Sequence, residues 1–253
     1  MRLKLHFALT DGPGMTIPVN HNTWLVSAIY RWLALSSPRF ADFIHNEGYR
    51  LNGKPYKLFC FSRLCVKNRN VRGDRLKSDS GTFSWFIASP KDDFINHLLT
   101  GLNKDPSMMI DDVRATAESV ETSPLPELLP PVKFVCLSPI TASVWDAESR
   151  RNPTRYLDPG EEFTAAVRLN LTRKYRLVHK TQLEDDRLTM TFDQGYMRRI
   201  GRITKLIDFK GIKVRGILCP FVADGSSDLI RIGYECGFGE KNSIGFGMVE
   251  ARS

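Results

Sequence analysis

The first half of the chain alternates segments with the periodicity of strands and helices. Every second residue from Leu3 to Leu9 is apolar, which predicts a strand with one buried face. Apolar residues at three- to four-residue spacing from Leu25 to Leu33 predict a helix with Thr23 as its N-cap. The remaining predicted elements are strands at Lys57–Val66 and Phe83–Ser89, a helix at Phe94–Leu102 and a strand at Val113–Val120. The order is β-α-β-β-α-β, with residues 67–80 predicted as a loop or hairpin tip.

The second half fits the same order less cleanly. Strands are predicted at Val132–Ile140 and Leu188–Phe192, and hairpin strands at Ile200–Val222. Helices are predicted at Glu161–Lys180 and near Asp228–Gly233, followed by a closing strand from Phe246. The predicted fold class is therefore α+β, with two tandem ferredoxin-like domains of the RNA-recognition type and a cleft between them.

A proline-rich segment separates the two halves. Residues 123–131 contain four prolines, which can continue neither a helix nor a central strand. The predicted organisation is one domain at 1–122, a linker at 123–131 and a second domain at 132–253.

The charge pattern favours a polyanionic ligand. The chain of 253 residues has a net charge of +8, and excess positive charge favours nucleic acid or an anionic surface. Arg50–Lys77 contains nine basic residues and one acid, and residues 166–216 contain thirteen basic residues and five acids. A solvated basic face is the alternative for either stretch. Because each half carries one, the pattern favours a polyanionic ligand bound in a cleft between the domains.

Composition argues against several other classes of protein. No run of eighteen apolar residues is present, and Met1–Leu9 has no apolar core typical of a secretion signal, so we expect a cytoplasmic protein without a membrane partner. The five cysteines form no C-x-x-C pair and no zinc-finger spacing with histidine. We therefore expect no metal site and no cofactor.

The most specific motif is the glycine-rich segment Gly237–Gly247, called the glycine loop below. Two Gly-Phe-Gly units flank a polar pentapeptide, and the segment matches neither a P-loop nor a dinucleotide-binding fingerprint. Glycine allows a ligand to approach the backbone closely, and free N–H groups bind phosphate. A purely structural glycine hairpin is the alternative. The predicted RNA-binding residues are Gly237, Gly239, Lys241, Asn242, Ser243, Gly245 and Gly247.

The segment Ile232–Val249 resembles the C-terminal signature of the CRISPR-associated repeat-processing endoribonucleases. Weaker similarities occur at Pro18–His21, Ile29–Tyr30, His45, Lys57–Phe59 and Leu137–Ile140. The resemblance implies tandem ferredoxin-like domains and sequence-specific cleavage of CRISPR repeat RNA without a metal ion. The 2′-hydroxyl would be the nucleophile, and the products would carry a 2′,3′-cyclic phosphate and a 5′-hydroxyl.

The resemblance also implies the catalytic residues. Such a reaction needs a group that takes the 2′-hydroxyl proton, one that protonates the 5′-oxygen and a cation near the phosphorane. The family commonly uses a Tyr, a His and a Lys, and the matching positions here are Tyr30, His45 and Lys57. Lys54 competes with Lys57 for the cationic role. His21 also matches a family position, and helix capping is its simplest interpretation.

One alternative within the family is a subunit that binds repeat RNA without cutting it, since some relatives have lost the catalytic histidine. A single-strand RNA-recognition protein is a second alternative, disfavoured because Ile244 and Met248 replace expected motif residues. A nucleotide-dependent enzyme is a third, and no P-loop supports it. The resemblance leaves open whether a CRISPR effector complex or a second copy of the chain is a partner.

Overall fold

The computed structural model describes residues 1–146, 148 and 153–252. The chain divides into two compact units. Unit 1 comprises Met1–Lys57 and Ser62–Leu125, and unit 2 comprises Leu58–Phe61 and Pro126–Ser253. Both contain antiparallel strands and helices, which confirms the predicted α+β class.

Unit 1 contains three helices, a π-helical turn and ten strands. The helical elements are α1 (Asn22–Ser36), α2 (Pro38–Asp42), the π-helical turn Phe43–Glu47 and α3 (Asp92–Lys104). The strands up to residue 61 are β1 (Arg2–Leu9), β2 (Met15–Pro18), β3 (Tyr49–Leu51) and β4 (Lys54–Tyr56), with β5 (Cys60–Phe61) lying in unit 2. The later strands are β6 (Cys65–Val66), β7 (Asn70–Arg72), β8 (Arg75–Ser78), β9 (Thr82–Ala88), β10 (Ser107–Ile110) and β11 (Val113–Ser123).

The main sheet of unit 1 has the order β10-β11-β1-β9, with β6 paired to β9. All of these pairs are antiparallel. The apolar residues of β1 face a core in which the Phe7 ring lies 6.3 Å from Trp32 of α1 and 5.1 Å from Phe83 of β9. The alternation along β1 and the apolar stripe of α1 therefore meet in one core, as their periodicity predicts.

Two local predictions for unit 1 are wrong, and a third is incomplete. Helix α1 begins at Asn22, so the N-cap position falls on His21 and Thr23 lies inside the helix. The strand predicted at Lys57–Val66 is reduced to β5 and β6, and before β5 a φ of +52° at Leu58 interrupts extended backbone. Residues 67–80, predicted as a loop or hairpin tip, form the hairpin β7–β8, and β8 pairs with β2 in a separate three-stranded sheet. Periodicity did not predict the strands of this sheet, because β7 is exposed along its whole length and has no alternating buried residues.

The described residues of unit 2 contain three helices, a 3-10 turn and, besides β5, eight strands. The helical elements are α4 (Glu161–His179), α5 (Gln194–Ile200), α6 (Ser227–Cys236) and the 3-10 turn Asn242–Ile244. The first strands are β12 (Val132–Cys136), β13 (Ser143–Trp145), β14 (Thr154–Tyr156) and β15 (Leu188–Phe192). The others are β16 (Thr204–Phe209), β17 (Ile212–Ile217), β18 (Phe221–Gly225) and β19 (Val249–Arg252).

The four-stranded sheet of unit 2 has the antiparallel order β15-β18-β12-β19. With α4 and α6 it gives the β-α-β-β-α-β order, into which α5 and the hairpin β16–β17 are inserted. Three phenylalanines, Phe134, Phe221 and Phe238, pack with ring centroids 5.4–5.5 Å apart. The closing strand begins at Val249 and not at Phe246, because Gly247 has a φ of +81° that interrupts extended backbone.

Among the described residues, no helix is both long and apolar enough to cross a membrane.

Candidate active site

The three predicted catalytic side chains lie together in unit 1. The Lys57 ammonium donates to the Tyr30 hydroxyl oxygen at 2.9 Å and to the His45 main-chain carbonyl, also at 2.9 Å. The rings of Tyr30 and His45 are 5.1 Å apart and nearly perpendicular. A cation, a phenol and an imidazole are thus held within one hydrogen-bond network.

Three local elements position these groups. Tyr30 lies in α1 beside the buried Ile29, and His45 lies in the π-helical turn that follows α2. Strands β3 and β4 then form a hairpin in which Tyr49 pairs with Tyr56. The hairpin returns the chain to the turn, so Lys57, the next residue, reaches the carbonyl of His45.

Burial changes the acidity of two of the three groups. Loss of solvent raises the pKa of Tyr30 well above its ordinary value, because the phenolate would be poorly solvated. The same cause lowers the pKa of Lys57, whose charged form loses solvation. At neutral pH Tyr30 is therefore a neutral hydrogen-bond donor, and the Lys57 ammonium releases its proton more readily than that of an exposed lysine.

His45 is exposed, and its ring uses only one nitrogen for a contact within the described residues. Nδ1 lies 2.8 Å from the side-chain oxygen of Asn46. Nε2 makes no hydrogen bond among the described residues, so it can exchange a proton with a ligand. An exposed imidazole with one restrained nitrogen has the chemistry required of an acid–base group.

The other candidates from the sequence lie elsewhere in unit 1. Lys54 is exposed at the start of β4, whereas Lys57 makes both contacts described above. His21 is buried, and its Nδ1 lies 2.9 Å from the Pro18 carbonyl. His21 occupies the N-cap position of α1, as the capping interpretation expects, but its side chain makes no capping hydrogen bond.

The glycine loop of unit 2 is folded around a buried lysine. Lys174 of α4 is 3% exposed, and its ammonium donates to the carbonyls of Gly237 and Gly239 at 2.6 and 2.8 Å. It also donates to the side-chain oxygen of Asn242 at 2.7 Å. The amide of Asn242 in turn donates to the carbonyls of Phe238 and Phe246. Five oxygen acceptors of the glycine loop thus receive hydrogen bonds from Lys174 and Asn242.

Internal packing explains why glycine is required in this loop. A Cβ at Gly239 would lie 2.3 Å from the carbonyl oxygen of Thr141, and one at Gly247 would lie 2.1 Å from that of Phe238. At Gly237 the obstacle is the Asn242 amide, at 2.5 Å. Gly245, also buried, has a φ of +91°. At three of the four glycines, other atoms of the protein therefore lie too close for any residue with a Cβ to fit.

The seven predicted RNA-binding residues therefore differ in accessibility. The four glycines and Asn242 are buried, whereas Lys241 is exposed and Ser243 is half-buried. Lys241 and Ser243 are the two side chains of this set that a ligand can reach most directly.

Lys174, Asn46 and Asp42 were missed from the sequence as site residues. For Lys174 the signal was present, because Phe163, Val167 and Leu171 form the buried stripe of α4 and Lys174 continues it. A lysine on an apolar stripe predicts a buried ammonium with dedicated acceptors. For Asp42 and Asn46 the signal was their four-residue spacing, which brings two side chains together on a helix.

The described residues contain no group of three or more His, Cys, Asp or Glu side chains that could hold a metal ion.

Comparison with known proteins covers nearly the whole chain. Residues 16–121 match the family model described as CRISPR-associated protein Cas6, N-terminal. Residues 124–251 match that described as CRISPR associated protein Cas6, C-terminal.

Curated relatives give the same result. The chain is 30% identical over 248 residues to the CRISPR-associated endoribonuclease Cas6 1 of Methanocaldococcus jannaschii, covering 98% of this chain and 92% of the relative. It is 29% identical over 238 residues to the CRISPR-associated endoribonuclease Cas6 of Pyrococcus furiosus, covering 92% and 83%.

Solved structures share the fold over the full length. One is described as the characterization of a Cas6-related gene from Pyrococcus furiosus, with a TM-score of 0.85, 25% identity and coverage of 100% of this chain and 98% of that one. Another, described as an RAMP protein binding different RNA substrates, has a TM-score of 0.83, 25% identity and full coverage of both chains.

Proposed function

Because the chain belongs to the Cas6 family of CRISPR-associated proteins, we propose that it is an endoribonuclease that binds CRISPR repeat RNA and cuts precursor transcripts. The observation that carries the proposal is the network of Tyr30, His45 and Lys57 in unit 1. We also propose that the reaction takes place in the cytoplasm.

The proposed reaction is attack of a 2′-hydroxyl on the adjacent phosphate. It yields a 2′,3′-cyclic phosphate and a 5′-hydroxyl, and its demands are proton transfer and stabilisation of the charged phosphorane. An imidazole, a phenol and an ammonium can meet these demands without a metal ion. We therefore propose that cleavage proceeds in the presence of a chelator.

His45 is the proposed acid–base residue. Its Nε2 is available to a ligand, and imidazole is the side chain whose ordinary pKa best suits proton transfer near neutral pH. Tyr30 is a weaker candidate for a base, because burial raises its pKa and keeps the phenol protonated.

Tyr30 and Lys57 are the proposed electrophilic residues. The ammonium donates to the phenol oxygen, and we propose that the phenolic O–H donates to a phosphoryl oxygen of the substrate. Lys57 supplies the positive charge beside it. Both donors are held in place before the substrate binds, which reduces the reorganisation needed in the transition state.

Binding is proposed to use the basic stretches and the exposed side chains of the glycine loop. Lys241 and Ser243 are the members of that loop best placed for phosphate contacts. The four buried glycines would act by giving the loop its shape.

The test is incubation of the purified protein with end-labelled repeat RNA in EDTA, followed by analysis of the product ends. We expect cleavage in EDTA with a 2′,3′-cyclic phosphate, blocked by a 2′-deoxy substitution at the nucleotide upstream of the cut. His45→Ala should lower the single-turnover rate by about 10²–10⁴-fold while changing RNA affinity by less than about tenfold. Tyr30→Phe, which removes one hydroxyl, should be milder.

Two outcomes would contradict this proposal. A strict requirement for Mg²⁺ would refute the metal-independent mechanism, and a near wild-type rate for His45→Ala would place the acid–base group elsewhere. Tight binding without any cleavage by the wild-type protein would instead support the alternative of an RNA-binding subunit.

A further inference from the structure

His45 is the last member of a chain of three exposed side chains. The Asn46 amide nitrogen donates to a carboxylate oxygen of Asp42 at 2.6 Å. The Asn46 side-chain oxygen lies 2.8 Å from Nδ1 of His45. This arrangement is called the Asp42–Asn46–His45 chain below.

The carboxylate determines the direction of both hydrogen bonds. An ionised carboxylate can only accept, so the NH₂ group of Asn46 must face Asp42. The oxygen of the same amide then faces His45 and can only accept as well. Nδ1 of His45 must therefore carry a hydrogen, and in the neutral ring the lone pair lies on Nε2.

Local backbone structure holds the three residues in this arrangement. Asp42 ends α2, and the π-helical turn Phe43–Glu47 follows directly, with Ile44 buried beneath it. Gly48 then ends the turn with a φ of +62°, and a Cβ there would lie 2.8 Å from the carbonyl oxygen of Tyr56. Only glycine fits at that point, so the backbone leaves the turn in one direction. π-Helical turns of this kind are frequent at functional sites.

We propose that Asn46, oriented by Asp42, is a positioning residue that fixes the His45 tautomer and directs Nε2 to the reacting proton. The catalytic part of the inference rests on the proposed function, whereas the tautomer of His45 does not. A hydrogen bond of ordinary net strength changes the ratio of two states by about fivefold, and exposure to water reduces this bias. The effect on rate is therefore expected to be modest and measurable.

The first experiment reads the tautomer directly, in the free protein without RNA. Nitrogen-15 NMR of selectively histidine-labelled protein, with the His45 signals assigned by loss in His45→Gln, distinguishes protonated from unprotonated ring nitrogens. At a pH where the ring is neutral, we expect Nδ1–H and an unprotonated Nε2 in the wild type. In Asn46→Ala the population should move toward the Nε2–H form. A wild-type ring protonated at Nε2, or a ratio unchanged in Asn46→Ala, would overturn the proposal.

The second experiment measures single-turnover cleavage and RNA affinity together. Asn46→Ala should lower the cleavage rate by up to about fivefold and leave the RNA dissociation constant unchanged. The double variant Asp42→Asn/Asn46→Asp keeps an acceptor for Nδ1–H without placing two carboxylates in contact, so it should recover most of the rate. Glu47→Gln, in the same exposed turn, is the control and should cut at the wild-type rate.

The pH dependence separates a positioning role from a merely structural one. Within the described residues, the titratable groups that face the ring are Tyr30 and Lys57, with Asp42 reached through Asn46. A carboxylate at position 46 would stabilise the imidazolium, so the limb of the pH–rate profile that reports His45 should move to higher pH by about one unit. An unmoved profile with a wild-type rate in both Asn46 variants would overturn the positioning role. If the wild type cuts no RNA at all, the proposed function fails, and the NMR result still decides the tautomer.

Discussion

The Lys174 ammonium donates a 2.7 Å hydrogen bond to the side-chain oxygen of Asn242, and both side chains are buried in unit 2. A buried ammonium is stable only when dedicated acceptors replace water. Here the acceptors are Asn242 and two carbonyls of the glycine loop, and all three N–H bonds are used. The lysine therefore joins α4 to the glycine loop through its charge.

Replacement of this lysine should destabilise the protein strongly. Lys174→Met keeps most of the apolar stem but leaves three buried oxygen acceptors without a donor, so we expect a loss of at least about 3 kcal/mol in the free energy of unfolding. Denaturant unfolding followed by circular dichroism measures it. Arg176→Met, on the exposed face of the same helix, is the matched control and should cost less than about 0.5 kcal/mol. Equal stability of the two variants would contradict a structural role for the ammonium.

Substitution of Gly239 should impair folding before it impairs RNA binding. The sequence analysis predicts Gly239 as an RNA-binding residue, and in the structure a Cβ there would lie 2.3 Å from the Thr141 carbonyl oxygen. Gly239→Ala should therefore lower the free energy of unfolding by more than Gly211→Ala. Gly211 is the matched control, because its φ is also positive, at +83°, and nothing lies within 4 Å of the added Cβ. Gly211→Ala measures the cost of the positive φ alone, about 1–2 kcal/mol. The additional loss of stability in Gly239→Ala measures the steric clash with the Thr141 carbonyl. Equal thermal unfolding of the two variants would refute the internal explanation.

Lys241 should contribute to RNA affinity through its charge alone. It is exposed, so Lys241→Gln should leave thermal unfolding unchanged and weaken RNA binding. Affinity should fall steeply with salt in the wild type, because bound lysines and arginines displace counterions from RNA. The slope of log affinity against log salt should decrease by about one in the variant. Filter binding between 50 and 400 mM salt measures both slopes, and an unchanged slope would place Lys241 outside the interface.

The alkaline limit of cleavage should report Lys57. Burial lowers the pKa of Lys57, so its charge is present at neutral pH and is lost as pH rises, before an exposed lysine would titrate. The kcat/KM profile, corrected for spontaneous RNA hydrolysis, should therefore fall on the alkaline side below pH 10.5. Because burial raises the pKa of Tyr30, Tyr30→Phe should retain that fall. Lys57→Arg should remove it and cut more slowly, since arginine stays charged and differs in geometry. If the alkaline decrease in kcat/KM disappears in Tyr30→Phe, it is caused by the Tyr30 phenol and not by Lys57.

His21 should matter for stability and not for cleavage. Burial lowers the pKa of His21, so as pH falls below about 6.5 the unfolded chain gains a proton that the folded one resists. The free energy of unfolding should therefore fall with acid, by up to about 1.4 kcal/mol per pH unit from this group. His21→Ala should lower the free energy of unfolding at pH 7 by about 1–3 kcal/mol. The difference between the wild type and this variant should become smaller as the pH falls toward 5. Its cleavage rate should stay near wild type, and a loss like that of His45→Ala would assign His21 to the site.

Periodicity predicted the parts of the fold whose burial repeats along one element. The helix expected at Phe94–Leu102 is present as Asp92–Lys104, and Phe94, Ile95, Leu98 and Leu102 are all buried. The strands expected near Arg2–Leu9, Phe83–Ser89 and Leu188–Phe192 are present within one residue of their predicted bounds. Local side-chain spacing determines which face is apolar, and that face must be buried.

For the candidate site, sequence resemblance supplied the residue types and positions, and the tertiary structure decided their contacts. Tyr30, His45 and Lys57 are up to 27 residues apart, and the hairpin β3–β4 brings them into one network. The sequence grouped Lys174 with the surface charges, whereas its ammonium is enclosed by a loop more than sixty residues away. Sequence periodicity identifies the buried face of one element but not the distant atoms that will meet it. Burial and pairing of polar groups depend on those atoms, because the cost of removing a charge from water is met only where acceptors converge in space.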